Sequence, residues 1–362
     1  LLKTVLVVVC LLLFVVPVVS FAQSDNVGSP QFTTESSLTT VPASSKTVPH
    51  WTSSFMYKGV TYPFTMVGTN PSTNSTTTVD VAIIPFDFQF ADGTILAGSS
   101  KVGNVLGSPN FQDASYSSGF TQFGDAVQRA EFWSAVSTSS SSWHTLITSN
   151  PTVYPTQVIQ VPQNQATVLV GRVSHRRFAL MSISWFSDRL HEAINNLHIS
   201  STTLPIILVY DTFLYQHSLN NCCILGYHGT FSSVNGNGNQ QIQTFAFAAW
   251  PDPNIFPPGW ADVLPLSHEV SEWMNDPFIH NFVPPWQFPG IPGSCQGNLE
   301  TGDPLEVLPN PDFPVTINGF TYHPQTEAIL PWFSREVPSS AIGGAYSYPD
   351  TTKLTGPSQP CQ

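Results

Sequence analysis

The sequence predicts an α+β protein in which a mixed sheet backs one chemically loaded helix, with an additional β-rich part on the N-terminal side. Three stretches carry that expectation. Thr76–Phe90 (TTTVDVAIIPFDFQF) alternates apolar and polar residues at a period of two, the mark of a strand entering a core. Residues 204–210 (LPIILVY) form a continuous apolar run bounded by polar residues, as a central strand covered on both faces requires, with Pro205 placed near its start. Residues 251–258 carry Pro251, Pro253, Pro257 and Pro258 and cannot be regular structure; they lead into residues 264–277 (LPLSHEVSEWMNDP), which read as a helix.

Residues 1–22 have the form of a secretory leader. Lys3 gives a short positive start, residues 5–19 are apolar apart from Pro17, and Ser20-Phe21-Ala22 offers small residues for cleavage. The run is of borderline length for a membrane anchor, and no second stretch approaches spanning length, so the expected location is secreted or periplasmic with no membrane contact beyond the leader. Residues 23–54, rich in Ser, Thr, Pro and Val and lacking either structural period, read as a flexible lead-in. Residues 55–362 then form the folded domain, with a β-rich part over 55–180 and the loaded helix in the part over 181–362.

Within that domain, residues 120–136 predict a helix whose apolar face is Phe123, Ala126, Val127, Ala130 and Trp133, with Phe132 opposite, so that it is covered twice. Strands are expected at 156–161 and 167–173. A second helix spans 182–198, with Ile183, Phe186, Leu190, Ala193, Ile194 and Leu197 on one face. Further strands follow at 223–227 and 244–250, joined by a Gly/Asn-rich loop, and Asn318-Gly319 marks a hairpin over 315–322.

Composition narrows the function. Lys and Arg total 11 against 23 Asp and Glu, and apart from Arg172, Arg176 and Arg177 no basic group clusters, which excludes nucleic acid as a partner. Only 9% of residues are charged, which suits a secreted β-rich surface. Cys222, Cys223, Cys295 and Cys361 remain after the leader's Cys10. In an oxidising compartment the expected pairing joins one of Cys222 and Cys223 to Cys295 and the other to Cys361, because adjacent cysteines bond to each other only with strain; buried free thiols at 222 and 223 are the alternative.

On a helix, His268 and Glu272 of His268-Glu269-Val270-Ser271-Glu272 lie four positions apart on one face, where two metal ligands can converge, while Glu269 is placed to act as a base. A plain surface helix with acidic residues near its start is the alternative. A catalytic zinc takes three protein ligands. Glu300 is the expected third, with Asp303 beside it orienting a ligand or the water, and Asp276 before Pro277 ends the helix. His323, with Tyr322, is a candidate oxyanion donor, whereas His280 reaches a metal only if the chain folds back. His191-Glu192-Ala193-Ile194-Asn195 is a decoy, since an amide fills its fifth position and Ile194 belongs to the apolar face, leaving His191 in solvent. Zn2+ is the expected cofactor, with Ca2+ the competitor because the set is rich in oxygen.

Residues 268–303 resemble the zincin-like metallopeptidases through HEVSE, without their second histidine. The order His268-Glu269-x-x-Glu272, Asp276-Pro277, Trp286 and Glu300-x-x-Asp303 is more similar to a pattern shared by secreted exordium-like (phosphate-induced) proteins and uncharacterised bacterial exported relatives, with Gly226-Tyr227-His228 and Trp250 in comparable places. The resemblance covers roughly residues 205–305; a cysteine just after Asp303 is missing, and Cys295 stands before it instead. It implies a zincin-like fold and an extracellular role. The expected function is an exported zinc-dependent hydrolase acting on a peptide or protein substrate, with Glu269 activating water. The alternative is a non-catalytic binding protein with a structural metal, using Trp260, Trp273, Trp286 and Trp332 to stack on cell-wall carbohydrate.

Overall fold

The alternating stretch forms one strand of 15 residues, Thr76–Phe90, on which the largest sheet is assembled. A computed structural model describes residues 45–138, 140–172, 174–234 and 240–361; the expected leader lies outside them. Thr203–Tyr210 runs parallel to the long strand and, on its other side, parallel to Gln240–Trp250, which pairs antiparallel with Gly226–Val234. Ile95–Ala97 pairs antiparallel with the long strand, and His144–Ile147, Thr152–Val153 and Gln157–Val161 pair parallel with successive segments of it. The sheet is therefore mixed, and it takes strands from both halves of the folded domain. A second sheet of four strands orders Ala166–Val170, Arg177–Ser182, Thr212–Tyr215 and Cys222–Ile224.

The apolar run 204–210 earns its place at the centre by serving two cores. Ile207 and Val209 pack with Phe186, Leu190 and Ile194 of the helix Ile183–Asn196 on one face, whereas Leu204, Ile206 and Leu208 pack with Val263, Leu266, Val270, Trp273 and Met274 on the other. Strand alternation sends successive side chains to opposite faces, and each such side chain fully buried contributes roughly 1.5–3 kcal/mol. The helix over residues 120–136 is broken by Phe132 (φ −96°, ψ 27°) into Phe123–Glu131 and Trp133–Val136. Phe132 turns to Trp51 and Trp143, with ring centroids 5.5 and 6.1 Å away, while Phe123, Ala126, Val127 and Ala130 pack with Ile329 and Tyr348. Covering on both sides buries all of 123–131, including the polar Asp125, Gln128, Arg129 and Glu131.

Two expectations are corrected. The lead-in ends early, because His50–Tyr57 already pairs with Val60–Val67 in an antiparallel hairpin; polar Thr52, Ser53 and Ser54 hide its strand pattern. The cysteine pairing also differs, since Cys222 is bonded to Cys223 and Cys295 to Cys361. The reason is topological: Cys222 and Cys223 lie on the four-stranded sheet, whereas the Cys361 amide donates to Pro285 O (3.2 Å) on the strand that pairs with the one bearing Cys295. The hairpin Val315–Ile317 to Phe320–Tyr322 forms as expected, with Asn318 (φ 51°) and Gly319 (φ 81°) in the positive region that its two-residue turn demands. Among the described residues, no helix is long and apolar enough to cross a membrane.

Candidate metal centre

The HEVSE segment lies in the helix Leu264–Asn275, with Pro265 in the first turn, where no amide donor is needed. Leu266, Val270, Trp273 and Met274 follow a helical spacing onto the sheet, and Trp273 Nε1 donates to Thr244 Oγ1 (2.9 Å), which sets the rotation of the helix. Packing that stripe leaves His268 and Glu272 on another side of the helix, with Glu272 toward His228 of the strand Gly226–Val234. Asp276 ends the helix as expected, its carboxylate accepting from the His280 and Asn281 amides at 3.0 and 3.1 Å.

A second layer of chain closes over this face. The strands Phe282–Gln287 and Cys295–Asn298 form a ribbon fastened by Trp286 Nε1 donating to Asn298 O (2.9 Å) and by the Cys295–Cys361 bond. The ribbon delivers Glu300, Gly302 and Asp303. Gly302 must be glycine, since a Cβ there would stand 2.1 Å from His268 Nδ1. Its amide donates to Glu272 Oε1 (3.0 Å), and its carbonyl accepts from Gln325 Nε2 (2.6 Å). That second contact orients the Gln325 amide, so Gln325 Oε1 accepts from His268 Nδ1 (3.1 Å), and in the neutral ring Nε2 is then the nitrogen that carries the lone pair.

Two groups of metal-capable atoms result, with members of each within 4.8 Å of one another: His268, Glu272 and Asp303, and His228, Glu272 and Glu300. His268 Nε2 is 3.1 Å from Glu272 Oε1 and 3.7 Å from Asp303 Oδ1. Gln296 Nε2 donates to the other oxygen of Asp303 (2.6 Å), aiming Oδ1 inward. On the second side, His228 Nδ1 is 3.4 Å from Glu269 Oε2 and 3.5 Å from Glu272 Oε2, and its Nε2 is 3.9 Å from Glu300 Oε2. The Oε2 atoms of Glu272 and Glu300, Oε1 of Glu269 and Oδ1 of Asp303 are buried without a hydrogen-bond partner.

Electrostatics make the cluster costly without a cation. Burial pushes the Glu269 carboxyl up to about 7 despite His228, and burial together with Glu272 holds Glu300 and Asp303 well above the usual carboxylate range. Burial likewise raises Glu327, with His268 opposing it. Burial also opposes the charge of Glu272, yet His268 and His228 hold this carboxylate below its ordinary value. Both histidines are raised well above theirs, because the surrounding carboxylates outweigh burial. The site asks for positive charge, and its donor set of imidazole nitrogen and carboxylate oxygen lies within the repertoire of zinc.

The sequence named His268, Glu269, Glu272, Glu300 and Asp303, and all five converge. Two fall differently from the expected arrangement: Asp303, expected behind the ligands, groups with His268 and Glu272, whereas Glu300, expected as third ligand, groups with Glu272 and His228. His323 belongs to neither group. Its Nδ1 is 2.6 Å from Asp262 Oδ2, and that hydrogen bond raises its pKa, while the Tyr322 hydroxyl donates to Asn104 O (3.0 Å). His280 is also outside, its ring stacked on Phe278. Sequence reasoning gave no role to His228, Gln296, Gln325 or Glu327; Gly226-Tyr227-His228 was the one signal, through the resemblance. Trp260, Trp273, Trp286 and Trp332 are all buried, so they offer no surface for stacking on carbohydrate. No family model, curated protein or solved structure matches the chain.

Proposed function

We propose that the chain is an exported zincin-like metalloprotein, a zinc-dependent hydrolase of peptide bonds. The observation that carries this reading is the presentation of His268, whose tautomer is set by Gln325 so that Nε2 faces Glu272 Oε1 and Asp303 Oδ1, one residue before the carboxyl of Glu269. Glutamine here does what a carboxylate or carbonyl does behind a ligating histidine elsewhere: it fixes ring orientation and proton position. His268, Glu272 and Asp303 would hold the ion. A nitrogen donor presented in this way favours zinc over calcium, which prefers an all-oxygen shell of six to eight ligands. Bound zinc polarises a carbonyl and acidifies water. Glu269 takes the proton of the attacking water and returns it to the leaving amine.

Burial supports a second reading. His268, Glu269 and Glu272 are each 0% exposed, and a Cβ on Gly226 would stand 2.6 Å from Glu269 Oε1, so the helix face is closed. A structural metal in an extracellular binding protein needs no more than that. Metal analysis of the purified chain, with Glu269→Gln assayed beside it on a peptide library, separates the two. Zinc in both proteins with hydrolysis by the parent alone is the expected result. Zinc in both with hydrolysis by neither supports the structural metal, and metal in neither ends both readings.

A further inference from the structure

We infer that the centre binds a second divalent cation between His228, Glu272 and Glu300, with Glu272 bridging the two ions through separate oxygens. The inference rests on the metal centre proposed above and adds an ion to it. Glu272 is shared by the two groups, but different atoms are involved: Oε1 lies 3.1 Å from His268 Nε2, and Oε2 lies 3.5 Å from His228 Nδ1. An imidazole at position 272 could offer a lone pair to one ion only. A carboxylate can serve two, which gives a physical reason for glutamate at the fifth position of HEVSE.

The surroundings of His228 suit a cation. Acceptors face both ring nitrogens: Asp276 O lies 3.2 Å from Nε2 and Glu300 Oε2 3.9 Å from it, while Glu269 Oε2 and Glu272 Oε2 face Nδ1 at 3.4 and 3.5 Å. A ring that ligates an ion is neutral, with one N–H donating to an acceptor on its own side and the lone pair of the other nitrogen left for the ion. The Nδ1 contacts exceed the roughly 2.7–2.9 Å of a charge-assisted hydrogen bond. They match the separation of about 3.3 Å between two ligands that each sit about 2.0 Å from one tetrahedral ion. His228, Glu272 and Glu300 each bring one ligand atom within 4.8 Å of the others, and Glu300 Oε2 and Glu272 Oε2 are buried and without a hydrogen-bond partner.

The test counts metal in the full chain equilibrated with Zn2+ and dialysed. Two equivalents are expected, falling to one in His228→Gln and in Glu300→Gln, and to one in Asp303→Asn. The parent loaded with Mn2+ should give the electron paramagnetic resonance signal of a spin-coupled pair, because a shared carboxylate links the ions. One equivalent in the parent, without coupling, overturns the second site and leaves the first standing. Two equivalents that survive both His228→Gln and Glu300→Gln overturn the assignment. No bound metal overturns the proposed centre itself. The count and coupling of the parent decide the matter even if a variant fails to fold.

Discussion

Two helices pack on opposite faces of the central sheet, and each carries a His-Glu pair. In Ile183–Asn196 the pair is His191-Glu192, followed at the fifth position by Asn195; in Leu264–Asn275 it is His268-Glu269, followed by Glu272. Their neighbours could hardly differ more. The His191 ring lies against Phe231 and Phe245 at 4.7 and 5.6 Å, and Glu192 pairs with Arg189 (3.1 Å) at side-chain exposures of 56% and 40%, a pairing worth at most about 1 kcal/mol. His268 and Glu272 are covered instead by a ribbon bearing two acids and by Gln325. What separates the two helices is what the rest of the chain lays over each His-Glu pair: among the described residues, only around His268 and Glu272 do further metal-capable side chains gather.

The largest effect expected from breaking that contrast is at position 272. Glu272→Gln keeps the shape of the side chain and should abolish metal binding, whereas Asn195→Glu, which completes the motif on the other helix, should bring no metal at all. Equilibrium dialysis of both variants with Zn2+ tests this, and metal gained by the Asn195 variant would show that the motif suffices without its cover.

A buried acid outside the cluster gives the next effect. Burial pushes the Glu131 carboxyl from 4.5 up to about 8, with the Leu330 amide opposing. The folded state then keeps a proton that the unfolded chain releases, so this group's contribution to stability falls as pH rises from about 4.5 to about 8 and is level beyond. Glu131→Gln should match the parent near pH 4 and exceed it near pH 9 by at most about 5 kcal/mol. Denaturant midpoints at the two pH values measure it; an equal gap at both would mean that Glu131 ionises normally in the fold.

The smallest effect concerns orientation. Gln325→Met leaves every proposed ligand in place but removes the acceptor for His268 Nδ1, and a loss of about 10–100-fold in zinc affinity is expected. Competition with a chelator reads it, and unchanged affinity would mean that packing alone fixes the ring.

Periodicity made the scaffold legible. The strand Thr76–Phe90, the central run at 204–210 and the helix over 182–198 follow from apolar spacing, because each belongs to the central sheet or packs on it, whereas the helix Leu264–Asn275 is read from its His-Glu spacing. The break at Phe132 was hidden, since a lone aromatic opposite an apolar face does not say whether the helix bends to seat it. In the site, residues close in sequence were readable: His268, Glu269 and Glu272 from the helix, Glu300 and Asp303 from the acids after it. Their division into two groups was not, because it depends on His228, which a strand of the central sheet brings in, and on Gln325 and Gln296, whose amides have no sequence signature. The disulfides were misread for the same reason: which thiols meet is a property of topology, and spacing is silent on it.

The bond between Cys295 and Cys361 spans 66 residues. It ties the paired strands that lead to Glu300 and Asp303 to a residue far along the chain, so reducing that one bond should loosen the cover over His268 without touching any of the clustered side chains.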